Sequence, residues 1–352
     1  MSEELHGDDF ARGARHDFAV NVSADAHPPW LTAAIADGVA RLGSYPDDTA
    51  ATAATARRHG REPDEVLLLN GAVQGFSLLA HGLSPRRPLV VHPAFSEPER
   101  ALRDAGLAPE RLVLERPFEL DPQAVPDDAD LVVVGNPTNP TGVLHPRERL
   151  SALCRPGRTT VIDEAFIDYV PGEPETLAGD RELPGLVVIR SLTKTLGVPG
   201  VRAGYLLGGA PLVQRLRDAA PKWSVNAVAL AVIEAAAARR DSIDSQAKLT
   251  VARREALARA LAATPGVFVH PGSANFLLLE FDDAVAVHAR LLAAHGIATR
   301  PCWGFPGLDQ RHLRVAVRGE PLDSKLIAAI RASVSAAPRA SDRSRAPAQP
   351  RR

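Results

Sequence analysis

Ser191-Leu192-Thr193-Lys194, then Gly200 and Arg202-Ala203-Gly204-Tyr205, follow directly on an apolar run at 186–189 that reads as a buried strand. Two hydroxyls, a lysine and an arginine just past a strand end suit an aldehyde-bearing, phosphorylated ligand. The amine can form a Schiff base, and the hydroxyls and guanidinium can hold a phosphate. Lys194 is one of four lysines, with Lys222, Lys248 and Lys325, in a chain that otherwise carries positive charge on arginine. Arginine stays protonated and forms no imine, whereas a buried lysine can lose its proton. A turn on the surface is the commoner meaning of such a segment, so its weight depends on what surrounds it.

Outward from this point, short apolar runs recur at 66–69, 89–91, 112–114, 131–134, 159–162, 187–189 and 205–207. They are apolar throughout, as in strands covered on both faces. Helical patterns at 72–81, 97–105 and 147–153 alternate with them, giving the expectation of an α/β fold around a mostly parallel sheet. Alanine-rich helices are expected at 225–240 and 242–263. After Pro265, strands near 267–269, 276–281 and 313–317 alternate with helices near 284–295 and 321–334, a smaller α+β unit. The expected organisation is an arm at 1–40, a large unit at 41–240, a small one at 241–336 and a disordered Ala/Pro/Ser/Arg tail at 337–352.

Composition narrows the class. The 352 residues are 45% hydrophobic and 24% charged, with a formal net charge of -1, which gives no reason to expect nucleic acid or an anionic membrane as partner. Cys154 and Cys302 form no disulfide framework and no metal-ligand spacing, so no metal and a reducing cytoplasm are expected. The acidic stretch Met1 to Phe10 shows no secretion leader, and the apolar runs are too short to span a bilayer.

Four further segments supply complementary parts. Asn70-Gly71-Ala72-Val73-Gln74 stands at a strand end and helix start, where Gly71 admits a close backbone approach and the amides of Ala72 and Val73 can bind a phosphate. His92-Pro93-Ala94-Phe95 places an aromatic ring at another strand end, though a lone Phe is more often core. Asn136-Pro137-Thr138-Asn139-Pro140-Thr141-Gly142 makes a tight loop at the carboxyl end of a strand, where open α/β sheets bind ligands. Val161-Ile162-Asp163-Glu164-Ala165-Phe166 ends a buried strand in an aspartate that needs a partner; a protonated pyridine nitrogen would serve, and an N-cap or metal ligand is the competing reading.

On these motifs the chain, from about Phe18 to Val334, resembles the class I/II aminotransferases, pyridoxal-phosphate (PLP) enzymes of fold type I with an aspartate-aminotransferase-like architecture. The resemblance implies that Lys194 forms the Schiff base with PLP and shuttles the α-proton. It implies that Asp163 pairs with the pyridine nitrogen and that Asn139 bonds the ring oxygen. Phe95 would stack on the ring, and Ser191, Thr193 and Arg202, with the Gly71–Val73 turn, would hold the phosphate. Tyr45 resembles the tyrosine that reaches the neighbouring subunit's cofactor, which implies a homodimer. Phe166 departs from the pattern, standing where many members carry a tyrosine; losing that hydrogen bond should raise the Schiff-base pKa.

Two subgroups resemble the remainder: histidinol-phosphate aminotransferases and the threonine-phosphate decarboxylases of cobalamin synthesis. Both imply that Arg300 and Arg314 grip anionic substrate groups. Asn21 and the stretches Trp223-Ser224-Val225-Asn226 and Gly307-Leu308-Asp309 lean toward the decarboxylases. Arg318 is compatible with a solvated face. The reading adopted is an aminotransferase-type enzyme acting on a small phosphorylated amino acid, with the decarboxylase as alternative. A non-catalytic PLP-binding sensor is weaker, because Lys194, Asn139, Asp163 and Arg202 are all present and the recognisable region starts too near Met1 for a DNA-binding module.

Overall fold

A computed structural model describes residues 6–335; the expected tail at 337–352 lies outside the described residues. Seven strands, β1 (Val66–Asn70), β2 (Pro88–His92), β3 (Glu110–Val113), β4 (Leu131–Gly135), β5 (Thr159–Asp163), β6 (Leu186–Ser191) and β7 (Ala203–Gly208), form one sheet in the order β1-β7-β6-β5-β4-β2-β3. Strands β2 to β6 pair in parallel, and β7 runs antiparallel to both β1 and β6. The mostly parallel α/β sheet is therefore as expected.

Alternate residues along six of the strands enter two different cores, and the edge strand β3 is largely exposed. Leu68, Val132, Ile162 and Val188 pack in one, while Leu69, Val133, Val161 and Ile189 pack in the other. That is why the strands read as unbroken apolar runs. The first core is closed by Pro29–Ala40 and Ala227–Ala237, the second by Val73–Leu83 and Ala210–Ala219. The helices Pro29–Ala40, Thr49–His59 and Ala210–Ala219 were not expected. Thr49–His59 buries only small residues, Ala51, Thr52, Thr55 and Ala56, so it shows no large apolar stripe.

A four-stranded antiparallel sheet follows, made of β8 (Phe268–Val269), β9 (Phe276–Glu280), β10 (Arg300–Pro301) and β11 (His312–Ala316) in the order β10-β11-β9-β8. Leu277, Leu279, Leu313 and Val315 pack there against Leu257, Leu291 and Leu326 of three helices, Arg240–Ala262, Ala284–His295 and Leu322–Ser335. Phe18 joins the same core, and the short strand His16–Asp17 pairs with Ile297–Ala298. No described helix is long and apolar enough to cross a membrane.

Candidate active site

The parallel strands deliver Asn70, His92, Gly135, Asp163 and Ser191 to one edge of the large sheet, and antiparallel β7 begins there. A cavity of about 220 Å³ opens at this edge. Ala72, Val73, Phe95, Asn139, Asp163, Phe166, Ser191, Thr193, Lys194 and Arg202 line it, joined from the small sheet's side by Arg300 and Arg314 and from the N-terminal segment by Asn21.

Its floor is shaped by a close approach between Gly71 and Arg202. Gly71 has φ +73°, and a Cβ there would stand 2.2 Å from Nη2 of Arg202. Arg202 itself has φ +64°, left-handed backbone that is unfavourable for a side chain by about 1–2 kcal/mol. The Gly71 N–H donates to the Arg202 carbonyl at 2.9 Å, locking the two turns together. Beside them the helix Val73–Leu83 starts with no side-chain cap, so its amide end faces the cavity as an anion site. Ser191 precedes the Lys194 helix without capping it, and the buried Thr193 Oγ1 has no hydrogen-bond partner among the described residues.

Burial shifts both Lys194 and Asp163 toward their neutral forms. Burial, then the positive charges of Arg314 and Arg202, lowers the Lys194 pKa to about 8, with Asp163 opposing. Burial raises Asp163 to about 6, against a 3.1 Å hydrogen bond from the Ala165 N–H and the attraction of Lys194. No salt bridge reaches Asp163 from any described residue. The Lys194 carbonyl accepts from the Tyr169 hydroxyl at 2.7 Å and from the Ser23 N–H at 2.9 Å.

The two loop asparagines have different fates. Asn136 is fully buried and staples the loop, its Oδ1 accepting from the His145 N–H at 2.7 Å. Asn139 lines the cavity and accepts from Arg314 Nη1 through Oδ1, which turns its amide nitrogen the other way. Arg314 also donates to the Ala19 carbonyl at 2.6 Å and lies over the Phe276 ring, and its buried Nε has no partner. Arg300 is its cross-strand neighbour and lies over Phe10 and Phe305 at 4.9 and 5.2 Å. Burial lowers Arg314 to about 10 and lowers Arg300 as well. Asn21 is buried, with Nδ2 unpartnered.

Tyr45 stands apart from the cavity in the single chain. It is 78% exposed and stacks on Trp223 with ring centroids 4.5 Å apart. Arg318, compatible with a solvated face in the sequence, is instead inserted among the carbonyls of Asp17, Val20 and Val22 and fastens the segment that carries Asn21.

Sequence reasoning missed several wall residues. His6, Gly7 and Asp8 come from the short helix Gly7–Ala11 and its cap, where only acidity had been visible, and His6 is fixed by a 3.1 Å ion pair to Glu97. Phe305 could have been found, because its loop joins the strands of Arg300 and Arg314. Also missed was Arg190, fully buried beneath the site and bound to Glu164, Asp168 and Glu173 at 2.8, 3.1 and 2.5 Å. Asp168 in turn accepts from Thr195, next to Lys194, at 3.1 Å.

Known proteins share this design. A histidinol-phosphate aminotransferase of Mycobacterium tuberculosis is 48% identical over 321 residues, covering 90% of this chain and 87% of its own. A threonine-phosphate decarboxylase of Salmonella typhimurium is 34% identical over 329 residues, 90% of each chain. The fold matches that of a Sinorhizobium meliloti histidinol-phosphate aminotransferase solved in complex with pyridoxal-5'-phosphate. The TM-score there is 0.83 at 21% identity, over 93% of both chains. With residues 10–330 matching aminotransferase class I and II, the chain belongs to that family of PLP-dependent enzymes.

Proposed function

We propose that this enzyme transfers the amino group of a small phosphorylated amino acid, with Lys194 as its catalytic residue. The observation that carries the reading is the juxtaposition in one cavity of a lysine held near neutrality, an aspartate without an ionic partner, and two separate cationic corners. One corner is Arg202 with the uncapped helix; the other is the Arg300 and Arg314 pair.

These residues fit PLP. Thr193 Oγ1 lacks a partner, the Gly71–Arg202 cradle has no room for a Cβ, and the helix amides are uncapped, all suited to a phosphate. Ser191 would add a hydroxyl, Asp163 would meet the pyridine nitrogen, and the Asn139 amide would meet the ring oxygen. Phe95 would cover one face of the ring. Phe166, lacking a hydroxyl, contributes shape only. When bound, the cofactor supplies an electrophilic carbonyl and an electron-withdrawing ring that stabilises negative charge at the substrate Cα.

The protein's own part is placement and proton transfer. With a pKa of about 8, the Lys194 amine is near enough to neutrality to accept a proton and return it. Arg300 and Arg314 would hold anionic groups of the substrate, with Asn21 beside them, and Phe305 limits water near the guanidinium pair. Which substrate bond is labilised depends on the angle at which that pair presents it.

The same pair favours a second reading, decarboxylation of threonine phosphate. Two adjacent guanidiniums suit a substrate carrying both carboxylate and phosphate, which histidinol phosphate does not. The proposal extends to a cytoplasmic homodimer divided into an arm at 1–40, a large unit at 41–240 and a small one at 241–336. Tyr45 would reach the partner's cofactor. The exposed Val39, Leu42, Tyr45 and Trp223 support the dimer, and the free Cys154 and Cys302 suit a reducing compartment.

Purified protein should be given histidinol phosphate with 2-oxoglutarate, and separately threonine phosphate. Glutamate formation without gas supports the aminotransferase. Carbon dioxide from threonine phosphate, with no oxo-acid consumed, establishes the decarboxylase instead. Protein that shows no cofactor absorbance and binds none when supplied would overturn both.

A further inference from the structure

Outside the cavity, three buried side chains of metal-ligand type meet on the small sheet. Glu280 ends β9, His312 begins β11 directly opposite it, and His270 follows β8. One ligand atom from each lies within 4.8 Å of the other two. The Nε2 of His270 is 3.2 Å from Oε2 of Glu280, and the Nε2 of His312 is 3.9 Å from the same oxygen.

The placement of His312 is a second observation that points to a cation ligand. Its Nδ1 lies 2.8 Å from Oδ1 of Asp309. The Arg311 N–H donates to the same Asp309 oxygen at 3.0 Å and holds that carboxylate against the ring. The other ring nitrogen, Nε2, faces the Glu280 carboxylate and is buried with no hydrogen-bond partner among the described residues. A buried ring nitrogen without a partner is costly, and a metal ion held between it and the carboxylate would satisfy both. A carboxylate that fixes one ring nitrogen so that the other can bind is also the usual support of a metal-ligating histidine.

We propose that His270, Glu280 and His312 form a zinc(II) site of three protein ligands and one water. Bond lengths of roughly 2.0–2.2 Å set neighbouring tetrahedral ligands roughly 3.3 Å apart. The His270–Glu280 pair already meets that spacing, and His312 must close from 3.9 Å. In the metal-free protein, Arg116 and Arg311 occupy the two Glu280 oxygens at 2.8 Å each. Both guanidiniums are about half exposed, so an incoming ion displaces them into solvent rather than burying like charges together. Bound zinc ties β9 and β11 to the residue after β8. Arg314 lies two residues along β11 from His312, on the same face, so the ion would also brace the strand from which Arg314 reaches the cavity.

The test uses tag-free holoenzyme, stripped with a chelator and titrated with zinc chloride alone, with bound metal measured after gel filtration. About one zinc per chain is expected, together with a raised Tm. His312→Gln or His270→Gln should weaken binding at least tenfold, while His288→Gln, outside the cluster, leaves it unchanged. Should either glutamine variant fail to hold its cofactor, Asp309→Asn keeps all three ligands and should weaken zinc roughly 10–100-fold. Wild-type protein that binds no zinc overturns the proposal, as does binding unaltered in His312→Gln or Asp309→Asn. Neither result depends on which reaction the enzyme performs.

Discussion

Replacing Asp163 by asparagine should stabilise the cofactor-free protein while disabling the enzyme. Burial lifts the Asp163 pKa from 3.8 to about 6, a displacement that corresponds to about 3 kcal/mol. The carboxyl retains some solvent at the cavity wall, so about 1–2 kcal/mol is the expected size. Because the folded carboxyl holds its proton more tightly than the unfolded one, its contribution is fully present below about pH 4. It is lost as the pH rises to about 6. Asparagine does not titrate and can still accept the Ala165 hydrogen bond. The advantage of Asp163→Asn should therefore open up across that interval and stay level above it. Urea unfolding of cofactor-free protein at about pH 5 and about pH 8, followed by tryptophan fluorescence, measures the difference directly. With PLP bound the order should invert, because the carboxylate then faces a cationic ring. A variant no more stable than wild type at about pH 8, or an advantage equal at both pH values, would refute the reasoning.

Other perturbations address the rest of the site. Gly71→Ala forces a Cβ to 2.2 Å from the Arg202 guanidinium on left-handed backbone, so PLP affinity should fall roughly 10–100-fold; equilibrium binding checks it, and wild-type affinity would contradict the cradle. The rate at which cofactor-free protein captures PLP should rise with pH up to about 8 and then flatten, since only the neutral Lys194 amine attacks. A rate still climbing well beyond that point would mark an ordinary lysine, and Lys194→Ala should lose the visible absorbance altogether. Arg318→Met removes donors to the carbonyls of Asp17, Val20 and Val22, and should cost about 3 kcal/mol, read as a drop in Tm and a raised KM through the loosened Asn21.

The large sheet was legible because the runs 131–134 and 186–189 are buried on both faces and so carry no polar interruptions. The motifs at Asn139, Asp163 and Lys194 were legible for a related reason. Each follows such a run, and strand ends are where the chain can present polar groups to a ligand. What escaped was decided by tertiary contacts. Nothing local about His6 or Asp8 shows that their helix will close the cavity, since its partners are Glu97 and the guanidinium of Arg300. Arg190 looks like an ordinary charge after Ile189 until three distant carboxylates are brought around it. Arg318 has the same character: its acceptors lie about three hundred residues earlier.

That span has a consequence for how the protein is made. Residues 17–22 emerge from the ribosome long before Arg318 and the β11 strand that will cover them. Phe18, fully buried in the finished fold, has no complete core to enter until residues as far as Ile330 have been made. The large sheet can assemble while synthesis continues, since its strands lie between Val66 and Gly208. The cavity cannot, because Asn21, Arg300 and Arg314 come together only after β11 has been made. A nascent chain halted before Arg314 would thus carry the Lys194 floor with no roof, and activity should appear only once the contacts longest in sequence are closed.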